Sequence, residues 1–227
     1  MRAGAMAPRQ AVAWRVAPFA VFMVLLALRG AWPADFPMEA RWIYAITVVL
    51  VGGLMWAGRH QYVELAHSQR ASGGEWAVAV AVGLAVFVAW IHLDAAWMQL
   101  GEPSAQFVPL NAQGGVAWGW VAVRVLGAAA VVPLMEELFW RSLLMRWIDR
   151  PDFLAQAPKQ ISWKAMALST FVFTLAHTLW LAAIVAGLAY ALLYRQTGKL
   201  WPAVMAHAVT NTALAVWVVV GGQWQFW

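Results

Sequence analysis

The chain has no cysteine and few charged residues. The absence of Cys from all 227 residues excludes disulfides, thiolate zinc ligands and cysteine nucleophiles. Charged residues make up only 11% of the chain, whereas a soluble domain contains about a quarter. The formal net charge of +5 is spread along the sequence and forms no clustered basic surface, so nucleic acid is not expected as a partner.

Apolar residues and tryptophan are abundant instead. The chain is 63% hydrophobic and contains 17 Trp, a residue that collects at membrane interfaces. Apolar segments of transmembrane length occur at 13–31, 42–57, 76–93, 116–147, 163–179, 180–195 and 201–220. The fourth contains Pro133 and would give an eighth helix if it split there. We therefore predict an all-α, polytopic transmembrane helical bundle of about seven to eight helices, forming a single integral membrane domain over 1–227.

The N-terminal segment resembles a secretory signal because Arg2, Arg9 and Arg15 precede an apolar run. We expect it to be retained as the first transmembrane helix, since no convincing small-residue cleavage site follows. Lys and Arg are concentrated in the loops after the second, fourth and sixth segments, while 94–115 contains neither residue. The positive-inside rule then predicts a cytoplasmic N-terminus for a multi-pass protein.

Polar residues inside the predicted helices are few, and such residues are costly in a bilayer. The ionisable ones and one neighbouring amide are Arg124, Glu136, Glu137, Arg141, His177, His207 and Asn211. We count depth from the basic ends of their helices at ~1.5 Å per residue. Glu136, His177 and His207 then reach similar depths from the same side of the membrane. The three predicted helices thus bring a carboxylate and two imidazoles together.

The spacing within each group suggests roles. Glu137 and Arg141 are four residues apart and share a helix face, so we expect an ion pair. Glu136 is rotated by about 100° from that face, which leaves its carboxylate available as a general base. His207 and Asn211 are also four residues apart, and their N–H groups could stabilise an oxyanion.

Phe173 has the same spacing from His177 and is expected to pack beside its ring. Each of these polar residues also has a structural interpretation, because buried polar side chains often hold membrane helices together. This alternative stays open for Glu137 with Arg141, for the two histidines and for Asn211. Arg124 is expected to snorkel towards the interface or to be a structural partner.

The boxes EELFWR (136–141), FTLAH (173–177) and HAVTN (207–211) together resemble the CPBP family, the membrane endopeptidases related to the type II CAAX prenyl protease. The family pattern is EExxxR, FxxxH and HxxxN or HxxxD on separate helices, and the resemblance covers 116–220, the predicted catalytic core. The run from 179 to 211 and the terminal GQWQFW are similar to the CAAX-protease-related proteins of bacterial exosortase/PEP-CTERM systems. This narrower likeness implies a bacterial inner membrane and a functional link to an exosortase system.

The resemblance implies hydrolysis of a peptide bond in a membrane-embedded protein or peptide substrate. In the glutamate-protease mechanism, Glu136 and His177 activate water while His207 and Asn211 bind the oxyanion. Glu137, Arg141 and Phe173 then support the site. No cofactor is favoured, but Glu136, His177 and His207 also form a His₂Glu set of the kind that binds catalytic zinc. Two other functions stay open: a non-catalytic binding or immunity protein of the same family, and a transporter that uses the buried acid and histidines.

Overall fold

The protein is a bundle of seven helices in a computed structural model, which describes residues 8–33, 35–101 and 107–227. Arg2 and the rest of the segment before Pro8 lie outside the described residues. The structure is 78% helical, and its described part contains no β-strand. The helices are α1 (Pro8–Gly30), α2 (Ala40–Ala57), α3 (Gly73–His92), α4 (Trp118–Asp149), α5 (Trp163–Leu175), α6 (Trp180–Thr197) and α7 (Leu200–Gly221).

The predicted all-α class is confirmed, and five of the helices are long and apolar enough to cross a membrane: α1, α2, α3, α4 and α7. The prediction of a spanning helix over 163–179 is wrong, because α5 has 13 residues and ends at Leu175. At 1.5 Å per residue α5 is about 20 Å long, short of the ~30 Å hydrocarbon core. Its last turn closes with three-residue hydrogen bonds, in which the N–H groups of Ala176 and His177 bond the carbonyls of Phe173 and Thr174.

Helix α4 is continuous and contains two wide π-helical turns, Gly127–Val131 and Leu138–Leu144. In the first turn the Val132 N–H bonds the carbonyl five residues earlier, on Gly127. The next residue, Pro133, has no N–H to offer to the backbone. The π turn accommodates this proline, and the helix continues through it. The described bundle therefore has seven helices and not eight.

Close contacts between small residues position the helices that carry the predicted site. A Cβ on Gly83 of α3 would lie 2.4 Å from the carbonyl oxygen of Ala206 on α7. A Cβ on Gly187 of α6 would lie 2.8 Å from the Thr170 methyl group on α5. Only glycine permits these approaches, which bring the His207 region of α7 against α3 and place α6 against α5.

A buried polar cluster joins α1, the loop between α2 and α3, and α4. The Glu64 carboxylate of that loop accepts hydrogen bonds from Arg15 at 2.6 Å and from Arg146 at 3.0 Å. It also accepts one from the Ser142 hydroxyl. Burial raises the pKa of Glu64, but the charges of Arg15 and Arg146 and the Ser142 hydrogen bond outweigh it, so the pKa lies below its ordinary value. Glu64 is therefore ionised, and its hydrogen bonds link α1, the loop between α2 and α3, and α4.

Candidate active site

The structure brings five of the predicted site residues to one cavity of about 260 Å³. These cavity-lining residues are Glu136, Phe173, His177, His207 and Asn211. They come from α4, α5 and its following loop, and α7, so all three boxes contribute. Glu137 and Arg141 lie behind this lining, with 0% and 2% of their surface exposed.

Glu136 lines the cavity. The residue is 7% exposed, and its Oε2 atom is buried without a hydrogen-bond partner among the described residues. A buried carboxylate oxygen without a donor is costly unless something else solvates the group. The Glu136 carboxylate is therefore the acidic group of the cavity wall that still lacks donors from the protein.

The neighbouring carboxylate of Glu137 lies outside the cavity lining and is bonded to the protein through one oxygen, while its Oε2 atom has no partner among the described residues. Its Oε1 atom accepts hydrogen bonds from Arg141 Nη1 at 3.1 Å and from His207 Nδ1 at 2.9 Å. Arg141 also donates to the Gly187 carbonyl on α6 at 3.3 Å. The expected i,i+4 ion pair is thus present, and it links α4 to α6 and α7. Two adjacent glutamates therefore have different surroundings because their side chains leave the helix in different directions.

His207 is fixed by its contact with Glu137. A carboxylate can only accept, so the proton in this hydrogen bond is on Nδ1, and Nε2 is the nitrogen left for the cavity. The His207 ring stacks on Tyr190 with centroids 5.1 Å apart and an interplanar angle of 18°. The Tyr190 hydroxyl donates to Thr210 at 2.7 Å. These contacts hold both the plane and the protonation pattern of the imidazole.

His177 lies just beyond the end of α5 and not within a helix as predicted. Its Nδ1 atom donates to the Phe173 carbonyl at 2.8 Å. That carbonyl would accept the backbone N–H of residue 177 if α5 continued, so the side chain takes over the bond where the helix ends. The rings of Phe173 and His177 pack with centroids 4.3 Å apart, as the spacing predicts. As in His207, Nε2 of His177 is the ring nitrogen that remains for the cavity.

Asn211 uses one amide N–H to bind the backbone of α4. Its Nδ2 donates to the Ala128 carbonyl at 2.7 Å. This carbonyl lies in the first π turn, and the residue five positions later is Pro133, which has no N–H. Asn211 therefore replaces a missing backbone donor, and its second amide N–H is the one left for the cavity.

Zinc was the less favoured alternative for the site. Within 8–33, 35–101 and 107–227, no three His, Asp or Glu side chains form a group that could hold a metal ion. Glu136, His177 and His207 share the cavity wall without forming such a group.

Sequence reasoning missed three contributors to the site, Tyr190, Ala128 and Arg29, and gave a fourth, Arg124, a different role. Tyr190 stacks on His207, and nothing in its sequence neighbourhood singles it out. The Ala128 carbonyl was detectable in principle, because a proline five residues later removes its donor. Arg29 and Arg124 line the same cavity as Glu136, although Arg124 was expected only to snorkel or to support the fold.

One comparison with known proteins gave a match. Residues 118–213 match the model of a family described as Rce1-like, type II CAAX prenyl endopeptidase Rce1-like. This range contains all three boxes and supports the resemblance to the CPBP family. Searches of curated proteins and of solved structures found no match. The family match and the five apolar helices support an integral membrane protein.

Proposed function

We propose that this protein is an intramembrane endopeptidase that hydrolyses a peptide bond of a membrane-associated protein or peptide. The observation that carries the proposal is the Glu136 carboxylate oxygen, which is buried without a donor at a cavity also lined by two oriented imidazoles. The match to the Rce1-like family model supports a protease of the CAAX type. The reaction uses water as the nucleophile and forms no covalent acyl-enzyme.

In the first step Glu136 and His177 activate the water. Glu136 accepts a proton from the water while the water oxygen attacks the carbonyl carbon of the substrate. His177 carries its proton on Nδ1, so its Nε2 lone pair accepts the second water hydrogen and orients the nucleophile. The product of this step is a tetrahedral intermediate with a negative oxygen.

His207 and Asn211 stabilise that oxygen. Asn211 donates the amide N–H that does not bind Ala128. His207 donates from Nε2 when both ring nitrogens carry a proton, and its Nδ1–H is held by the Glu137 carboxylate. Such preorganised donors are among the largest contributions to acyl-transfer catalysis.

Collapse of the intermediate completes hydrolysis. Glu136 returns its proton to the amide nitrogen, the C–N bond breaks, and the products are a free amine and a carboxylic acid. All the protons are supplied by the water and by this chain's own residues. We therefore propose the glutamate mechanism over the zinc mechanism, consistent with the absence of a three-ligand group among the described residues.

The test uses Glu136→Gln, which keeps the size and removes the base. Bacterial membranes containing the wild type or the variant would be compared by N-terminal labelling and mass spectrometry. We expect new N-termini in membrane proteins or peptides only with the wild type, and a loss of at least ~100-fold in the variant. The matched control is Glu39→Gln, which alters an exposed carboxylate outside the cavity. Equal cleavage by the wild type and Glu136→Gln would refute the proposal.

We further propose a location in the bacterial inner membrane with the N-terminus in the cytoplasm, and a link to an exosortase system. The loop charges and the sequence likeness over 179–211 and in the terminal GQWQFW support these statements. Because the chain has no Cys, Ser68→Cys and Gln113→Cys can be labelled singly. We expect a membrane-impermeant thiol reagent to label position 113 from outside and position 68 only after lysis. The reverse pattern would contradict the orientation.

The exosortase link needs a separate experiment. Deleting an exosortase gene encoded beside this protein's gene is expected to change which membrane proteins gain new N-termini. An unchanged set of N-termini would contradict the link while leaving the endopeptidase proposal intact.

A further inference from the structure

The cavity continues beyond the carboxylate and imidazoles to two arginines. Arg29 near the end of α1 and Arg124 near the start of α4 line the same cavity as Glu136, His177 and Asn211. Neither arginine belongs to the three boxes, and the mechanism above uses neither. Guanidinium groups in the same cavity as the reacting carboxylate can contact a part of the substrate that does not react.

The two arginines share one aromatic ring. The guanidinium carbon of Arg124 lies 4.8 Å from the centre of the Tyr44 ring, and that of Arg29 lies 5.5 Å from it. The two positive charges are close enough to repel each other. A carboxylate bound beside Arg124 would bring an opposite charge to this end of the cavity.

Arg124 is held in place but lacks a carboxylate partner. Its Nη1 donates to the Tyr44 hydroxyl at 3.0 Å, and that hydroxyl donates back to the Arg124 carbonyl at 3.2 Å. The rings of Phe107 and Trp227 lie 5.9 and 5.8 Å from its guanidinium carbon. Its Nε–H is buried without an acceptor, and no Asp or Glu of the described residues pairs with it.

Three buried arginines of the described residues show what Arg124 lacks. Arg15 and Arg146 each pair with Glu64, and Arg141 pairs with Glu137. A guanidinium group presents a planar set of donors that matches a carboxylate. Arg124 is half-buried, and it is held in place by Tyr44 without such a carboxylate.

We infer that the Arg124 end of the cavity is a subsite for a carboxylate of the peptide substrate. The inference rests on the proposed function for the identity of the ligand as a peptide. The carboxylate is either a chain-terminal one or an Asp or Glu side chain near the cleaved bond, since both present the same group. A peptide fits better than a lipid because the arginines and the reacting carboxylate share one cavity. The subsite then selects substrates and sets which bond faces Glu136.

The test compares matched apolar peptides that differ only in the carboxylate. One pair has a free acid or an amide at the C-terminus, and a second pair has Asp or Asn at an internal position. Binding is measured to purified protein carrying Glu136→Gln, so hydrolysis does not interfere. We expect one acid form to bind at least tenfold tighter than its neutral partner, and the pair that responds identifies the source of the carboxylate.

Adding Arg124→Gln is expected to remove this preference while leaving binding of the neutral peptide within about threefold. Arg124→Lys keeps the charge without the planar fork and should retain part of the preference. Arg59→Gln, an exposed arginine outside the cavity, is the matched control and should change nothing. Melting temperatures of all variants establish that they are folded.

Binding separates this inference from the proposed function. An acid preference that depends on Arg124, in a protein that cleaves no peptide, would support the subsite and contradict the endopeptidase. Equal binding of acid and amide peptides in both pairs would overturn the subsite. Lipid recognition would be indicated instead if Arg124→Gln altered only binding of phosphatidylglycerol relative to phosphatidylcholine in nanodiscs, and that result would also overturn it.

Discussion

Glu64 and Glu136 are both largely buried acids in contact with the α4 part of the bundle, yet their surroundings differ. Both oxygens of Glu64 accept hydrogen bonds, from Arg15 on one side and from Ser142 and Arg146 on the other. One oxygen of Glu136 has no donor among the described residues and lies at a cavity. A fully bonded carboxylate joins parts of a structure, whereas an incompletely bonded one at a cavity can react.

The largest effect that follows from this comparison concerns Glu64. Glu64→Ala leaves Arg15 and part of the Arg146 guanidinium buried without their carboxylate, which costs about 3–5 kcal/mol in comparable buried pairs. We expect a clear fall in melting temperature in detergent, measured by a thermal-shift assay. Cleavage per folded molecule should stay within about threefold of wild type, because Glu64 does not line the cavity.

Glu136→Gln is the matched variant for that measurement. Its melting temperature should equal or exceed the wild-type value, because it removes a buried carboxylate oxygen that lacks a donor. A lower melting temperature for Glu136→Gln than for Glu64→Ala would reverse the assignment of one acid to structure and the other to chemistry.

A smaller effect is expected for Glu137, which combines both kinds of surroundings. Glu137→Gln removes the negative charge next to His207 Nδ1 and weakens the hydrogen bond that orients the ring. We expect cleavage per folded molecule to fall by about 10–100-fold, as for residues that orient a functional ligand. The pH profile of cleavage should also change, because the imidazole that faces the oxyanion loses its charged hydrogen-bond acceptor.

Glu137→Asp retains the charge and should recover part of the activity. A rate loss in Glu137→Gln that disappears after normalisation to folded protein, with an unchanged pH profile, would make Glu137 purely structural.

Acid should lower the stability of the protein through Glu64, and by less than the substitution Glu64→Ala does. Its pKa is lowered in the folded protein, so its contribution to stability is full above the ordinary carboxyl value of 4.5. That contribution is lost as the pH falls through the lower folded value. We expect the melting temperature of the wild type to drop in this acid range and that of Glu64→Gln to drop less. Parallel curves for the two proteins would show that Glu64 is not the responsible group.

The smallest expected effect is that of metal removal. In the proposed mechanism the Glu136 carboxylate is the base and the protein supplies every donor. Exhaustive chelation should therefore leave cleavage within about twofold of the untreated enzyme. Full loss of activity that Zn²⁺ restores would favour the zinc mechanism, with Glu136, His177 and His207 as the ligands.

Most of the fold was predictable because it depends on local apolar runs. The seven predicted segments coincide with the seven helices, and the main error lies at the end of α5. The helix was expected to run through His177, since Phe173-Thr174-Leu175-Ala176 contains neither Gly nor Pro. The helix ends at Leu175, where the Phe173 carbonyl accepts hydrogen bonds from the Ala176 N–H and the His177 side chain, and no local sequence pattern indicates this arrangement.

By itself the sequence determined that the chain is a series of apolar helices and that Glu136 and Glu137 leave their helix in different directions. Both follow from helical geometry, because residues one apart diverge by about 100° and residues four apart align. Only the tertiary structure decided that Glu137 holds His207, 70 positions away, and that Asn211 replaces the donor missing at Pro133. It also decided that Arg124 shares a cavity with Glu136. These contacts depend on how α4 and α7 pack, and helix periodicity carries no information on which faces of separate helices meet.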